Sequence, residues 1–264
     1  MKKAIIVSFE GIDGCGKSTQ AKNFVRYLRA RKHRVLFLKE PGTTQLGNEL
    51  RKILLARQDR ISDLSELLLY LSARNQLCRE ILDRNAKIRQ IIVLDRFLDS
   101  TVAYQGYGRG LPLDFIEQSH RLILGNLVPD ITFLIDADAA ALRVQLRSKG
   151  VDRLERSLKF QQKVRSGYLA LAKQEPSRFR VIRRSSKEAT SAQIIAAWSR
   201  HGQACGTKTL RFGKTRRSKS ADVRDDSTDA PDGVSPINSG GHPETQTSSA
   251  AADRPAKAGG NGFY

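Results

Sequence analysis

Residues 4–19 read Ala4-Ile5-Ile6-Val7-Ser8-Phe9-Glu10-Gly11-Ile12-Asp13-Gly14-Cys15-Gly16-Lys17-Ser18-Thr19. An apolar run leads into a glycine-rich turn, and the turn opens an amphipathic segment. Residues 11–18 match G-x-x-x-x-G-K-[ST] and stand between a strand pattern and a helix pattern, the context this motif requires. The flanking patterns argue against an accidental glycine-rich turn. Backbone amides in such a turn, with the positive end of the following helix, cradle the β-phosphate of a nucleoside triphosphate. Lys17 then reaches the β- and γ-phosphates and the Ser18 hydroxyl holds Mg²⁺. Gly11, Ile12, Asp13, Gly14, Cys15, Gly16 and Thr19 complete the candidate ATP-binding segment.

Outward from this loop, short apolar runs alternate with longer amphipathic stretches. The runs are Ala4–Phe9, Val35–Leu38, Ile91–Leu94, Ile131–Ile135 and Phe179–Ile182. Most are continuous rather than alternating, as strands buried on both faces of a parallel sheet are. Residues 18–32 place Ala21, Phe24, Val25 and Leu28 on one helical face. Further helices are predicted over 46–56, 62–84, 113–124, 139–147, 154–174 and 188–200. The alternation predicts a three-layer α/β fold, a five-stranded parallel sheet flanked by helices, with ligands beyond the carboxyl ends of the strands.

Hydrophobic residues make up 39% of the 264-residue chain, and the shortfall is local. From Gln203 onward Gly, Ser, Thr, Pro, Asp and Ala dominate, a composition that buries too little apolar surface to offset the entropy of ordering it. One folded domain over 1–202 and a disordered low-complexity tail over 203–264 are therefore expected. The formal net charge is +19, and most of the excess falls within 1–202. That balance suits a protein whose substrates are phosphates. No basic stripe interleaved with aromatics argues for nucleic acid. Cys15, Cys78 and Cys205 are odd in number and far apart, so reduced thiols are expected rather than disulfides or a metal site. No run approaches the roughly 18 apolar residues of a membrane span, and the expectation is a soluble cytoplasmic protein.

A phosphate loop leaves the phosphate acceptor open. After the second strand come Glu40-Pro41-Gly42-Thr43-Thr44 and Arg51, and the helix over 62–84 sets Tyr70 and Arg74 four apart on one face. After the third strand comes Asp95-Arg96-Phe97-Leu98-Asp99-Ser100-Thr101-Val102-Ala103-Tyr104-Gln105-Gly106. A nucleoside monophosphate needs cations for its phosphate, which Arg51, Arg74 and Arg96 can supply. It also needs a flat surface for its base, such as Tyr70, and amide-type groups for the base edge. Each feature has a plain structural alternative: Tyr70 in the core, solvated arginines, an ordinary Glu40-Pro41 turn, an Asp95–Arg96 ion pair.

Together these blocks resemble the thymidylate kinase family, from about Ile5 to Ala197. The resemblance implies Mg·ATP-dependent phosphorylation of dTMP to dTDP, with a homodimer as the usual assembly. It assigns Thr101 and Gln105 to the base edge, Tyr104 to the sugar, Glu40 to the acceptor site, Asp13 to orienting the acceptor, and Arg96 to bridging the two phosphates. It also implies a small lid at Arg147–Arg153. With Gly14 where some members carry an arginine, Arg147 or Arg153 becomes the catalytic cation, and Lys149 a weaker candidate. The chain departs from the family at Phe97 (usually Tyr), at Thr43-Thr44 (usually Gly-Thr) and at Arg183-Arg184-Ser185, near the region that encloses adenine. Residues 155–157, next to the lid, are one residue short of the family spacing. A kinase for another nucleoside monophosphate or a deoxynucleoside, and a P-loop protein without turnover, remain as alternatives.

Overall fold

In the computed structural model of the chain, residues 4–56, 61–147 and 158–204 are described. Five strands form one parallel sheet: β1 (Ile5–Glu10), β2 (Val35–Lys39), β3 (Ile91–Asp95), β4 (Ile131–Asp136) and β5 (Phe179–Arg183), in the order β2-β3-β1-β4-β5. The expected five-stranded parallel sheet is thus present. The central strands β1, β3 and β4 are buried almost throughout, as their unbroken apolar runs require. The edge strands β2 and β5 are buried only in part, because each has a neighbour on one side alone.

The helices are α1 (Lys17–Ala30), α2 (Gln45–Leu55), α3 (Asp63–Leu77), α4 (Asp83–Asn85), α5 (Leu98–Thr101), α6 (Leu113–Leu124), α7 (Ala139–Arg147), α8 (Leu158–Gln174) and α9 (Lys187–Ala204). Two wider π-helical stretches, Cys78–Leu82 and Val102–Gly108, interrupt the regular turns. Alternate strand residues face opposite layers, as a period of two dictates. Val7, Phe9 and Val93 pack with Phe24 and Leu28 of α1 and Ile194 of α9. Ile6, Ile92 and Leu94 pack with Leu77, Cys78 and Leu82.

The helix after residue 185 runs to Ala204, two residues past the expected boundary at 202. All described residues fall within one compact unit, and the remaining unit, Thr215–Tyr264, lies outside the described residues.

Candidate active site

The site assembles at the carboxyl ends of β1, β2 and β3. Pairing of Phe9 with Asp95 and of Lys39 with Asp95 brings three loops to one edge. Backbone bonds tie them further: Arg96 N–H to the Phe9 carbonyl (3.1 Å) and Glu40 N–H to the Asp95 carbonyl (3.2 Å).

The phosphate loop needs its glycines for two different reasons. Gly11 has φ 142°, and a Cβ there would lie 2.7 Å from the Ile135 carbonyl oxygen at the end of β4. Gly16 has φ 96° at the cap of α1 with open space around it, so conformation alone selects it. Asp13 and Ser18 are half-buried, while Gly14 and Thr19 are exposed. Lys17 is buried, and its Nζ donates to the Ile12 carbonyl (3.4 Å). Burial lowers its pKa, and the Arg96 charge lowers it further.

Arg96 has φ 72°, a left-handed backbone that a side chain occupies only under constraint. Its guanidinium joins the two halves of the site. Nη1 donates to Ser100 Oγ (2.9 Å), Tyr168 hydroxyl (3.3 Å) and the Gly11 carbonyl (3.4 Å). Nη2 donates to Tyr104 hydroxyl (3.1 Å) and pairs with Asp13. Burial works against the charge, yet Tyr104, Asp13, Tyr168 and Glu10 outweigh it and hold the Arg96 pKa well above its usual range.

Beneath Arg96 lies Glu10, fully buried at the end of β1. It accepts from Phe97 N–H (2.7 Å) and from Ser100 Oγ (2.6 Å) and Tyr168 (3.2 Å) hydroxyls. Burial first, then the neighbouring Asp99, push its pKa up to about 8.

On the acceptor side Arg74 is only 2% exposed, and its Nε lies 2.7 Å from Oε1 of the equally buried Glu40. Its Nη1 donates to Thr101 Oγ1 (2.7 Å) and contacts His120 Nε2 (2.7 Å), and Nη2 donates to the Phe97 carbonyl (3.1 Å). The Phe97 ring is fully buried, with the Arg74 guanidinium 5.6 Å from its centre, so a hydroxyl there would enter an apolar cluster. Gln105 donates to Glu66 (2.6 Å), which also pairs with Arg109 (2.8 Å). Tyr70, on α3, is half-buried rather than sealed in the core. Thr43 closes a turn on Lys39 and Thr44 caps α2 by accepting from Gly47 N–H (2.9 Å), which accounts for both threonines. Arg51, on that helix, donates to the Pro41 carbonyl (3.0 Å) beside Gly42. Burial lowers the Lys39 pKa, and the charges of Arg51, Lys22 and Arg96 lower it further. An anion at this edge would relieve the crowding of cations.

The structure therefore brings together Asp13, Lys17, Glu40, Arg74, Arg96, Thr101, Tyr104 and Gln105, with Arg51 at the rim. Arg147 closes α7, whereas Lys149, Arg153 and the residues 155–157 lie outside the described residues. Near β5, Arg184 N–H donates to the Asp136 carbonyl (2.9 Å) and Ser185 N–H to Thr190 Oγ1 (3.0 Å), so this stretch is built into the start of α9.

Several further residues belong to the site. Glu10 and Asp95 each end an apolar run with a lone acid, a pattern visible in the sequence. Tyr168 and His120 carry no such mark, since their partners stand 68 and 46 residues away. Asp95 also bears on whether a metal ion would fit. Its buried Oδ1 has no hydrogen-bond partner, and it lies close enough to Lys17 to act on it. Among the described residues no group of three or more His, Cys, Asp or Glu side chains could hold a metal ion. A cation here would need phosphate oxygens as well, which is how Mg²⁺ usually binds. Ser18, Asp95 and a triphosphate fit it.

A parallel sheet with a phosphate loop, a buried lysine and a ring of arginines at one edge defines a P-loop nucleotide kinase. The family model for thymidylate kinase matches residues 9–194. Thymidylate kinase of Chlorobaculum tepidum is 41% identical over 189 residues, covering 67% of this chain and 88% of the relative. That of Gloeobacter violaceus is 42% identical over 198 residues, 73% of this chain and 93% of the relative. The crystal structure of thymidylate kinase from Ehrlichia chaffeensis superposes with a TM-score of 0.62 at 32% identity, covering 74% of this chain and 98% of the other. The chain belongs to the thymidylate kinase family and is a phosphotransferase.

Proposed function

We propose that the chain transfers the γ-phosphoryl group of ATP to the 5′-phosphate of dTMP, giving dTDP and ADP. The observation that carries this reading is Arg96, bonded to Gly11 and Asp13 of the phosphate loop and to Ser100, Tyr104 and Tyr168 on the acceptor side. One guanidinium thus stands where donor and acceptor phosphates would meet.

A phosphate monoester is already an anion, so no general base is needed, and positioning with charge neutralisation carries the reaction. An oxygen of the acceptor phosphate bonds the γ-phosphorus as the bond to the β,γ-bridging oxygen breaks, and ADP leaves with that electron pair. Lys17 and Arg96 offset the charge on the moving group. Mg²⁺, held through Ser18 and backed by Asp95, would supply further charge neutralisation on the triphosphate. EDTA should stop turnover and added Mg²⁺ restore it; turnover that survives chelation would refute the metal requirement.

Arg74 takes a narrower role than a phosphate clamp. A guanidinium has five N–H donors: Thr101, His120 and Phe97 take three by hydrogen bond, and Nε stands 2.7 Å from the Glu40 carboxylate as an ion pair. One remaining donor suits a single carbonyl on a pyrimidine edge, which leaves the acceptor phosphate to Arg96 and Arg51. Thr101 and Gln105 then flank the base edge, Tyr70 its face and Tyr104 the sugar.

A coupled ADP-release assay across dTMP, dUMP, dCMP, AMP and thymidine tests the reading. Turnover is expected to be greatest with dTMP. Activity confined to thymidine, or equal across the monophosphates, would overturn it. The reading extends to a cytoplasmic homodimer. Exposed Leu46, Ile53, Leu64, Leu68, Phe115 and Leu122 on α2, α3 and α6 offer apolar surface for the dimer, and light scattering on the purified chain would test it.

A further inference from the structure

His120 sits on α6, 6% exposed, with Nε2 at 2.7 Å from Arg74 Nη1. A guanidinium only donates, so this contact is a hydrogen bond only if Nε2 carries no proton. The imidazole must then be the neutral tautomer with its proton on Nδ1. A protonated ring would set hydrogen against hydrogen and a second positive charge beside a buried one. The surroundings agree, since burial and then the Arg74 charge push the His120 pKa down to about 2.

The other partners of Arg74 come from the acceptor loops themselves. Thr101 and Phe97 belong to the segment after β3, and Glu40 to the segment after β2. Among the described residues bonded to Arg74, His120 alone comes from an element that carries no other proposed site residue. It also lines a cavity of about 490 Å³ with Asp99, Val102 and Leu171, away from the phosphate loop. It therefore braces the guanidinium from behind.

We propose that His120 is a positioning residue of the acceptor site, whose neutral imidazole accepts from Arg74 and fixes the direction of the one donor left for the nucleotide base. This rests on the reading of Arg74 given above. The side chain of Gln carries its Oε1 the same number of bonds from Cβ as Nε2 of His, so His120→Gln retains the acceptor. His120→Leu fills the space without one.

Steady-state kinetics on the full chain separate the possibilities. His120→Leu should raise KM for dTMP about tenfold, the scale of one hydrogen bond to a charged group, with kcat within about threefold and KM for ATP unchanged. His120→Gln should restore KM to within about threefold of the unaltered chain. Leu and Gln variants with the same KM, alongside normal dTMP turnover by the unaltered chain, would show a packing role and sink this inference alone. Absence of dTMP turnover in the unaltered chain would instead sink the functional reading beneath it. Nitrogen-15 NMR gives a readout that packing does not move: the resonance lost in His120→Gln should belong to a neutral Nδ1–H tautomer from pH 5.5 to 8. A protonated Nε2 would overturn the proposal whatever the kinetics.

Discussion

Arg96 concentrates the chemistry of this site because its backbone and side chain are held by different elements. The φ of 72° turns the side chain away from the line of β3, and Glu10, through Phe97 N–H and Ser100, holds the turn that follows. Arg96→Ala should lower kcat/KM for dTMP by about 10²- to 10³-fold, the range for losing one preorganised charged donor. Arg96→Lys should recover little, since a single ammonium cannot reach Gly11, Asp13, Ser100 and the two tyrosines together. The coupled assay reads both, and a Lys variant near full activity would contradict this account. Glu10 makes a separate statement about pH. Its folded pKa of about 8 exceeds the ordinary value of 4.5, so the fold retains a proton that the unfolded chain releases. Stability from this group is present below pH 4.5 and is lost as pH rises toward 8. Glu10→Gln removes that dependence. The Tm of Glu10→Gln minus that of the unaltered chain should grow from pH 5 to pH 8, and a constant or shrinking gap would refute the assignment.

At the scale of elements, the π-helical stretch Val102–Gly108 carries Tyr104 and Gln105 and lies along α8. Close approach depends on two glycines. A Cβ on Gly108 would come within 2.8 Å of the Phe160 ring, and one on Gly167 within 2.7 Å of Tyr107. Gly167→Ala is the cleaner probe, because it lies on α8 and contributes nothing to the site directly. Overpacking of this kind costs about 1–3 kcal/mol, and each kcal/mol lowers Tm by about 2–4 °C in a domain of this size. Displacement of Val102–Gly108 should also raise KM for dTMP more than KM for ATP. Calorimetry with kinetics checks both, and an unchanged Tm would show that the helices can separate freely.

For the whole molecule, every residue proposed for the site from the structure lies before the end of α9. Removing residues 205–264 should leave kcat and both KM values within about twofold. A large loss of turnover in the truncated chain would place part of the site in that segment. The boundary itself shows what composition resolves. The composition shifts from apolar periodicity to Gly, Ser and Pro at Gln203, one residue before the end of α9 at Ala204.

The phosphate loop, the five strands and the succession of helices were legible in the sequence because each is local: a period, a glycine, a cap. Gly11–Ser18 could be assigned without a partner, since backbone amides and one lysine act from a single turn. Arg74 could not. Its place on α3 says nothing of its partners, and only the folded chain sets Thr101, Phe97 and His120 around it by hydrogen bond and Glu40 by ion pair. The same holds for Glu10, which reads as one acid after an apolar run until burial raises its pKa. Chemistry set by neighbours distant in the chain is decided by packing, because desolvation and hydrogen-bond saturation are properties of a place and not of a residue type.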